Sequence, residues 1–63
     1  MDHVLVPGAW VRLVEAPEWG VGQVQSVIGN RVTVNFEHAG KQLVNTASAT
    51  LAGASAPTIE GRG

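Results

Sequence analysis

Cysteine is absent from this 63-residue sequence, so neither a disulfide nor a thiolate metal site can add to its stability. Tyrosine is absent as well, and two tryptophans and one phenylalanine are the only aromatic residues. No apolar run approaches the roughly 20 residues that a membrane-spanning helix requires. Residues 1–10 carry no basic segment and include Pro7, so we expect no signal peptide. The sequence therefore predicts one small cytoplasmic domain that does not contact a membrane.

Charged residues are few and nearly balanced, with four Lys and Arg against five Asp and Glu. Tight binding to phosphates takes several cations, so the composition disfavours nucleic acid except as a weak partner. The two histidines, His3 and His38, do not have metal-ligand spacing, and no serine has a histidine near it in sequence. We therefore predict no catalytic residue, no metal site and no cofactor.

The clearest structural signal is a β-hairpin in residues 20–36. In residues 31–36 apolar and polar side chains alternate, which predicts a strand with one buried face. Gly29 and Asn30 suit a tight two-residue turn with positive φ at both positions. In the preceding strand, residues 21–28, Val24 and Val27 are three apart, and a β-bulge near residues 25–26 would turn both inward.

Three further strands complete the predicted sheet. After a turn at residues 7–8, the first strand covers residues 9–14, with Val11 and Leu13 inside. A loop at residues 15–20 follows.

A glycine turn at residues 37–40 leads to a fourth strand at residues 41–45, where we expect Leu43 inside and Val44 outside or at the rim. Residues 45–49 suit a single 3₁₀ turn. Thr50 and Leu51 would then close the sheet against the first strand.

These elements predict an all-β fold, a small five-stranded SH3-like (Tudor-like) barrel in residues 7–51. Residues 1–6 would form an entry segment. Residues 52–63 are rich in small residues, glycine and proline, which predicts a disordered C-terminal tail. Within that tail, residues 59–62 resemble a protease-recognition sequence used in recombinant proteins, and we give them no functional role.

Each tryptophan allows two interpretations. Trp19 lies in the loop, either as an exposed anchor for a partner or as a lid over one end of the core, and we favour the lid. Strand alternation places Trp10 on the outer face beside Arg12, which is typical both of a recognition surface and of an ordinary stacked pair. A cage for methylated cations is disfavoured, because Phe36 belongs to the core and two aromatic walls remain.

The order of these features resembles a known domain. Residues 7–51 are similar to the Tudor-like, SH3-like barrel at the end of bacterial superfamily-1 repair helicases, and to a family of small bacterial proteins of unknown function that share it. The resemblance rests on the Pro-Gly turn (residues 7–8), the aromatic-Gly-x-Gly run (residues 19–22) and the Val-x-Val-x-Phe strand (residues 32–36). In the helicases, it implies a module that docks onto RNA polymerase and couples repair to transcription.

We therefore expect a monomeric protein–protein interaction module, with RNA polymerase as a candidate partner. The alternative is a weak nucleic-acid-binding barrel, and a third interpretation is a structural accessory that self-associates through an open edge strand. The expected partner-binding residues are Trp10, Arg12, Trp19, Arg31 and Lys41.

Overall fold

The computed structural model describes residues 5–56, which form one five-stranded antiparallel sheet. The elements in chain order are β1 (Trp10–Leu13), a 3₁₀ helix (Pro17–Trp19), β2 (Val21–Ile28), β3 (Arg31–Phe36), β4 (Gly40–Asn45) and β5 (Leu51–Gly53). Predictions for residues 1–4 and 57–63, including the run at residues 59–62, lie outside the described residues.

The sheet is all-β and five-stranded as predicted, but it is not closed into a barrel. Its strand order is β4-β3-β2-β1-β5, and among residues 5–56 no ladder joins β4 to β5. Closure would require a ladder between these two edges. β5 has only three residues, and all three pair with β1. The prediction of an all-β, five-stranded fold is therefore confirmed, and the sheet keeps two open edges, β4 and β5.

The core lies on one face of the sheet, which we call the inner face. Because the described residues contain no second layer of secondary structure, the sheet has to curl around its own apolar side chains. The buried residues come from every strand and from the loop after β1; they are Val11, Leu13, Ala16, Val24, Val32, Val34, Phe36, Val44 and Leu51. No buried polar or charged residue interrupts this cluster among residues 5–56.

The β2–β3 hairpin is built as the sequence predicts, with one difference in its turn. Ile28 pairs with Arg31, so Gly29 and Asn30 form the two-residue connection. Only Gly29 has a positive φ, of 60°, because Asn30 stays in the ordinary negative region. Glycine at the first central position is typical of a type II′ turn, which does not require a positive φ at the second.

The predicted β-bulge is confirmed. The β2–β3 register shifts between Val24 and Ser26, which leaves Gln25 as the extra residue. Val24 is therefore buried, and Val27 packs against the core although the two are three positions apart.

The predicted orientation of β4 is wrong. Leu43, expected inside, is 66% exposed, whereas Val44, expected outside or at the rim, is buried. The reason is the register, which pairs Val44 with the buried Val32 and Leu43 with Thr33. Directly opposed residues point to the same face of a sheet, so Val44 has to follow Val32 into the core.

The connecting segments also differ in detail from the prediction. The 3₁₀ helix lies at Pro17–Trp19, where a loop was expected, and residues 46–48 form a single hydrogen-bonded turn where a 3₁₀ turn was predicted. In that turn the Asn45 carbonyl accepts the N–H groups of Ser48 and Ala49. β1 is one residue shorter at each end than predicted, and β5 continues to Gly53, two residues beyond the expected end of the barrel.

Candidate interaction surface

The side of the sheet that points away from the core, which we call the outer face, carries most of the predicted binding residues. Because cross-strand partners share a face, the register assigns its members. On β1, β2 and β5 they are Trp10, Arg12, Val21, Gln23, Ser26, Ile28 and Ala52, and on β3 and β4 they are Arg31, Thr33, Asn35, Lys41, Leu43 and Asn45.

Trp10 and Lys41 lie at the two ends of one cross-strand row. Trp10 is opposite Gln23, Gln23 is opposite Asn35, and Asn35 is opposite Lys41. With neighbouring strands about 4.8 Å apart, three strand spacings separate Trp10 from Lys41 by roughly 14 Å. Trp10 is half-buried and Lys41 is exposed. A single partner surface can contact both residues only if it crosses β2 and β3.

Arg12 and Arg31 lie on the same face but towards opposite ends of the sheet. Arg12 is opposite Val21, the first residue of β2, whereas Arg31 is opposite Ile28, the last. Four of the five predicted residues therefore lie on the outer face, but they are spread across it and do not form a compact cluster.

Trp19 does not belong to the outer face. It follows β1 in the 3₁₀ helix and packs, half-buried, against the core cluster. Its ring meets Phe36 edge to face, with ring centroids 5.3 Å apart. Its carbonyl accepts the N–H of His38 at 3.0 Å, which ties the helix to the β3–β4 turn. This packing agrees with the lid interpretation of Trp19.

The glycines after Trp19 have a structural explanation. Gly20 has φ 79°, a conformation that favours glycine. Gly22 faces inward opposite Phe36, and a Cβ there would lie 2.4 Å from Val34 Cγ1 and 2.7 Å from Phe36 Cδ1. The aromatic-Gly-x-Gly run is therefore accounted for by the bend into β2 and by close packing inside the sheet.

Two large apolar side chains on the outer face were missed by the sequence reasoning. Ile28 is 73% exposed and Leu43 is 66% exposed. Ile28 could have been found, since a bulge that turns Val27 inward turns the next residue outward. Leu43 could not be found from its own strand, because its orientation depends on the register across the β3–β4 turn.

Charge is unevenly distributed over the molecule. The basic residues among the described residues, Arg12, Arg31 and Lys41, all lie on the outer face. The described carboxylates are in segments that connect strands at one end of the sheet; they are Glu15, Glu18 and Glu37. Within residues 5–56 one contact joins a basic to an acidic side chain, His38 Nε2 to Glu37 Oε1 at 3.8 Å, so none of the three cations is paired there.

Glu15 makes a structural hydrogen bond at the end of the sheet where β1 connects to β2. Its carboxylate accepts the backbone N–H of Thr50 at 2.9 Å, which connects the loop after β1 to the segment before β5. This hydrogen bond lowers the pKa of Glu15 below its ordinary value, against a smaller opposing effect of desolvation.

The part of the chain that the structure describes offers no enclosed site. It has no cavity, and no three His, Cys, Asp or Glu side chains converge as metal ligands would. No helix within it is long and apolar enough to cross a membrane.

Comparison with known proteins gives a family and no function. No curated protein and no solved structure matches the chain. The resemblance to the helicase modules therefore remains a prediction. A family model described as "Protein of unknown function (DUF3553)" matches residues 5–53, which span all five strands. The chain belongs to this family, DUF3553.

Proposed function

We propose that this protein is a protein–protein interaction module, without catalytic activity, that binds an acidic surface of its partner through the outer face of the sheet. The composition of the outer face is the main support for this proposal. Two exposed apolar side chains, Ile28 and Leu43, share the outer face with all three described cations, and no strand residue of that face is acidic.

This combination of side chains suits a protein surface. Apolar side chains that become desolvated supply most of the affinity at protein interfaces, whereas complementary charges at their margins supply orientation and association rate. On the outer face, Arg31 lies directly opposite Ile28, and Leu43 is opposite Thr33, two residues further along β3. Arg31 is therefore a neighbour of both apolar residues on the outer face.

The resemblance to the repair-helicase module suggests the identity of the partner. It points to the transcription and repair machinery, with RNA polymerase as the first candidate. A partner of this kind implies a cytoplasmic location for this protein.

Weak nucleic-acid binding is the second candidate, and the same cations favour it. Arg12, Arg31 and Lys41 face one way, and Trp10 offers a ring on which a base could stack. Three phosphate contacts give a salt slope of about −2.7, so affinity for a duplex would fall roughly 40-fold between about 50 and 200 mM salt. Apolar docking would change far less, which separates the two candidates.

The test is an amide chemical-shift titration of the labelled protein with RNA polymerase fragments and, separately, with short single- and double-stranded DNA. We expect shifts with the polymerase fragments that cluster on β2, β3 and β4 around Ile28 and Leu43. The double substitution Ile28→Ser, Leu43→Ser should weaken this binding at least ~10-fold, because it removes the apolar contacts. Val6→Ser is the matched control, since Val6 is 46% exposed but lies outside the strands.

The double substitution Arg31→Ala, Lys41→Ala distinguishes the outcomes. It should reduce binding to the polymerase fragments only a few-fold, by slowing association, and abolish any binding to DNA. Shifts with DNA alone that disappear with salt would support the nucleic-acid candidate and overturn the first. An absence of shifts with every ligand would overturn both.

A further inference from the structure

Among residues 5–56, no strand pairs with the outer edge of β4, and the observed hydrogen bonds show which of its backbone groups are free there. Thr46 donates its N–H to the Asn30 carbonyl across the β3–β4 ladder. In an antiparallel ladder the N–H and C=O of one residue point to the same side, and successive residues alternate. Residues 40, 42 and 44 therefore bond to β3, and the backbone groups of Lys41, Leu43 and Asn45 point away from the sheet.

One of those groups already has a partner. The Asn45 carbonyl accepts the N–H groups of Ser48 and Ala49, so at that residue only the N–H remains for the edge. Within residues 5–56, Lys41 and Leu43 keep both groups for the edge. The free edge is thus short, with its donors and acceptors centred on Leu43.

β4 has few of the features that protect edge strands. Such strands are often very short or carry proline, several charges or a bulge. β5, the other edge, has three residues, whereas β4 has six, no proline, one charge and an unbroken register with β3. At the centre of β4, Leu43 adds an apolar side chain that is 66% exposed.

We propose that a second copy of this chain pairs antiparallel with β4, so that two five-stranded sheets join edge to edge in a weak homodimer. We infer that the partner strand is β4 of a second copy because the free groups of this edge are self-complementary. A two-fold axis at Leu43 lets each Leu43 exchange both backbone hydrogen bonds with its copy. In the same register each Asn45 N–H reaches the Lys41 carbonyl of the other molecule, so only free groups are used.

The outward-facing side chains of β4 are compatible with this antiparallel register. The two Leu43 side chains meet on the outer face as a directly opposed apolar pair. Each Lys41 lies opposite an Asn45. The two Lys41 side chains are then about four residues apart along the strand, or roughly 14 Å, which is beyond the Debye length of about 10 Å at 0.1 M salt. The one charge on the edge therefore does not oppose pairing.

The contact is small, which sets the expected affinity. An interface of one strand edge and one leucine pair lies well below the roughly 1,000 Å² of a stable complex, so we expect a dissociation constant on the order of 0.1–1 mM. The dimer does not depend on the proposed function. It would nevertheless place two outer faces side by side, with twice the number of apolar and basic contacts for one partner.

The test uses the full chain over a concentration series from about 20 µM to about 2 mM, chosen to span that constant. Sedimentation equilibrium should show a rising average mass, and amide shifts should move with concentration at residues 41, 43 and 45. Leu43→Lys should weaken association at least ~10-fold, because two like charges would then oppose each other across the axis. Ile28→Lys is the matched control, since Ile28 is similarly exposed on the outer face but lies on the interior strand β2, and association should be unchanged.

A second variant tests the backbone hydrogen bonds of the edge when it is compared with Leu43→Ala, because both variants lack the leucine side chain and only proline lacks the N–H. Leu43→Pro removes an N–H that points to the free edge, so the β3–β4 ladder keeps its bonds while the dimer loses two. Weaker association in Leu43→Pro than in Leu43→Ala, and reduced association in Leu43→Lys with Ile28→Lys unaffected, would support the proposal. Constant mass up to about 2 mM, equal association in Leu43→Pro and Leu43→Ala, or equal loss in Ile28→Lys and Leu43→Lys, would overturn it.

Discussion

On the inner face of the sheet, Val11, Val24, Val32 and Val34 are the largest fully buried side chains, and every strand contributes at least one residue to their cluster. On the outer face of the same strands, Ile28 and Leu43 are 73% and 66% exposed, and Arg12, Arg31 and Lys41 have no ion pair within residues 5–56. The apolar residues of this small chain are thus divided between two environments.

This division separates stability from binding. A valine on the inner face contributes the free energy of its burial, whereas an exposed leucine gains almost nothing from folding. Ile28 and Leu43 are therefore not explained by stability and are available to a partner. Substitutions on the inner face should destabilise the protein, and substitutions on the outer face should change its stability little.

Gly22→Ala should have the largest effect on stability. The new Cβ would lie 2.4 Å from Val34 Cγ1 and 2.7 Å from Phe36 Cδ1, so the centre of the inner face would have to move. We expect a loss of about 3 kcal/mol in the free energy of unfolding, as for an overpacked core. Urea unfolding followed by tryptophan fluorescence measures it, since Trp19 packs against the ring of Phe36.

Gly29→Ala is the control for this substitution. Gly29 has φ 60°, but a Cβ added there would have no atom within 4 Å, so alanine would meet backbone strain and no clash. That strain costs about 1 kcal/mol. Equal losses in the two variants would contradict the packing assigned to Gly22.

Val32→Ala and Leu43→Ala test the contrast between the two faces directly. Val32 is fully buried, and losing two methyl groups there should cost about 2 kcal/mol through lost burial and the cavity left behind. Leu43→Ala removes more carbon atoms but should change stability by less than about 0.5 kcal/mol. Thermal and urea unfolding of both variants gives the comparison. A larger loss for Leu43→Ala would contradict the orientation of β4.

Much of the hairpin could be predicted from local sequence. The alternation in β3 places Val32, Val34 and Phe36 inside without any knowledge of neighbouring strands, and the bulge follows from the spacing of Val24 and Val27. The glycine turn predicted at residues 37–40 is also present, and Gly40 has φ 72° there. These predictions succeed because each depends on a few consecutive residues.

The orientation of β4 depends on more than its own residues. In β4, Leu43 and Val44 are adjacent apolar residues, and either could be the buried one. The choice is made by the turn after Phe36, which pairs Phe36 with Gly40 and so aligns Val44 with Val32. A shift of one residue in that turn would exchange the two faces of the strand.

The distribution of charge also could not be predicted from composition, because it depends on which face of the sheet each residue occupies. A formal charge of −1 suggests no basic surface, yet strand alternation directs all three described cations outward and leaves the described carboxylates in connecting segments. The sequence therefore predicted the three cations of the outer face and Trp10, but neither their separation from Trp19 nor the exposure of Leu43.

Glu15→Gln should have the smallest effect on stability. It tests whether an exposed hydrogen bond, from the Thr50 N–H to the Glu15 carboxylate, adds to the stability that the buried core provides. Hydrogen bonding to the Thr50 N–H holds the pKa of Glu15 below its ordinary value of about 4.5, so the folded state favours the ionised carboxylate. Its contribution is then present above pH 4.5 and is lost as the pH falls through the lower pKa of the folded state.

Measurement of the melting temperature between about pH 2 and pH 7 should show a small decrease on acidification that is reduced in Glu15→Gln. Glu18→Gln, which removes a carboxylate at the same end of the sheet, is the control, because no hydrogen bond joins Glu18 to the Thr50 N–H. If Glu15→Gln keeps the full acid dependence, the hydrogen bond from Thr50 to Glu15 does not contribute to stability. The loop after β1 is then held by the burial of Ala16 and Leu51 in the core.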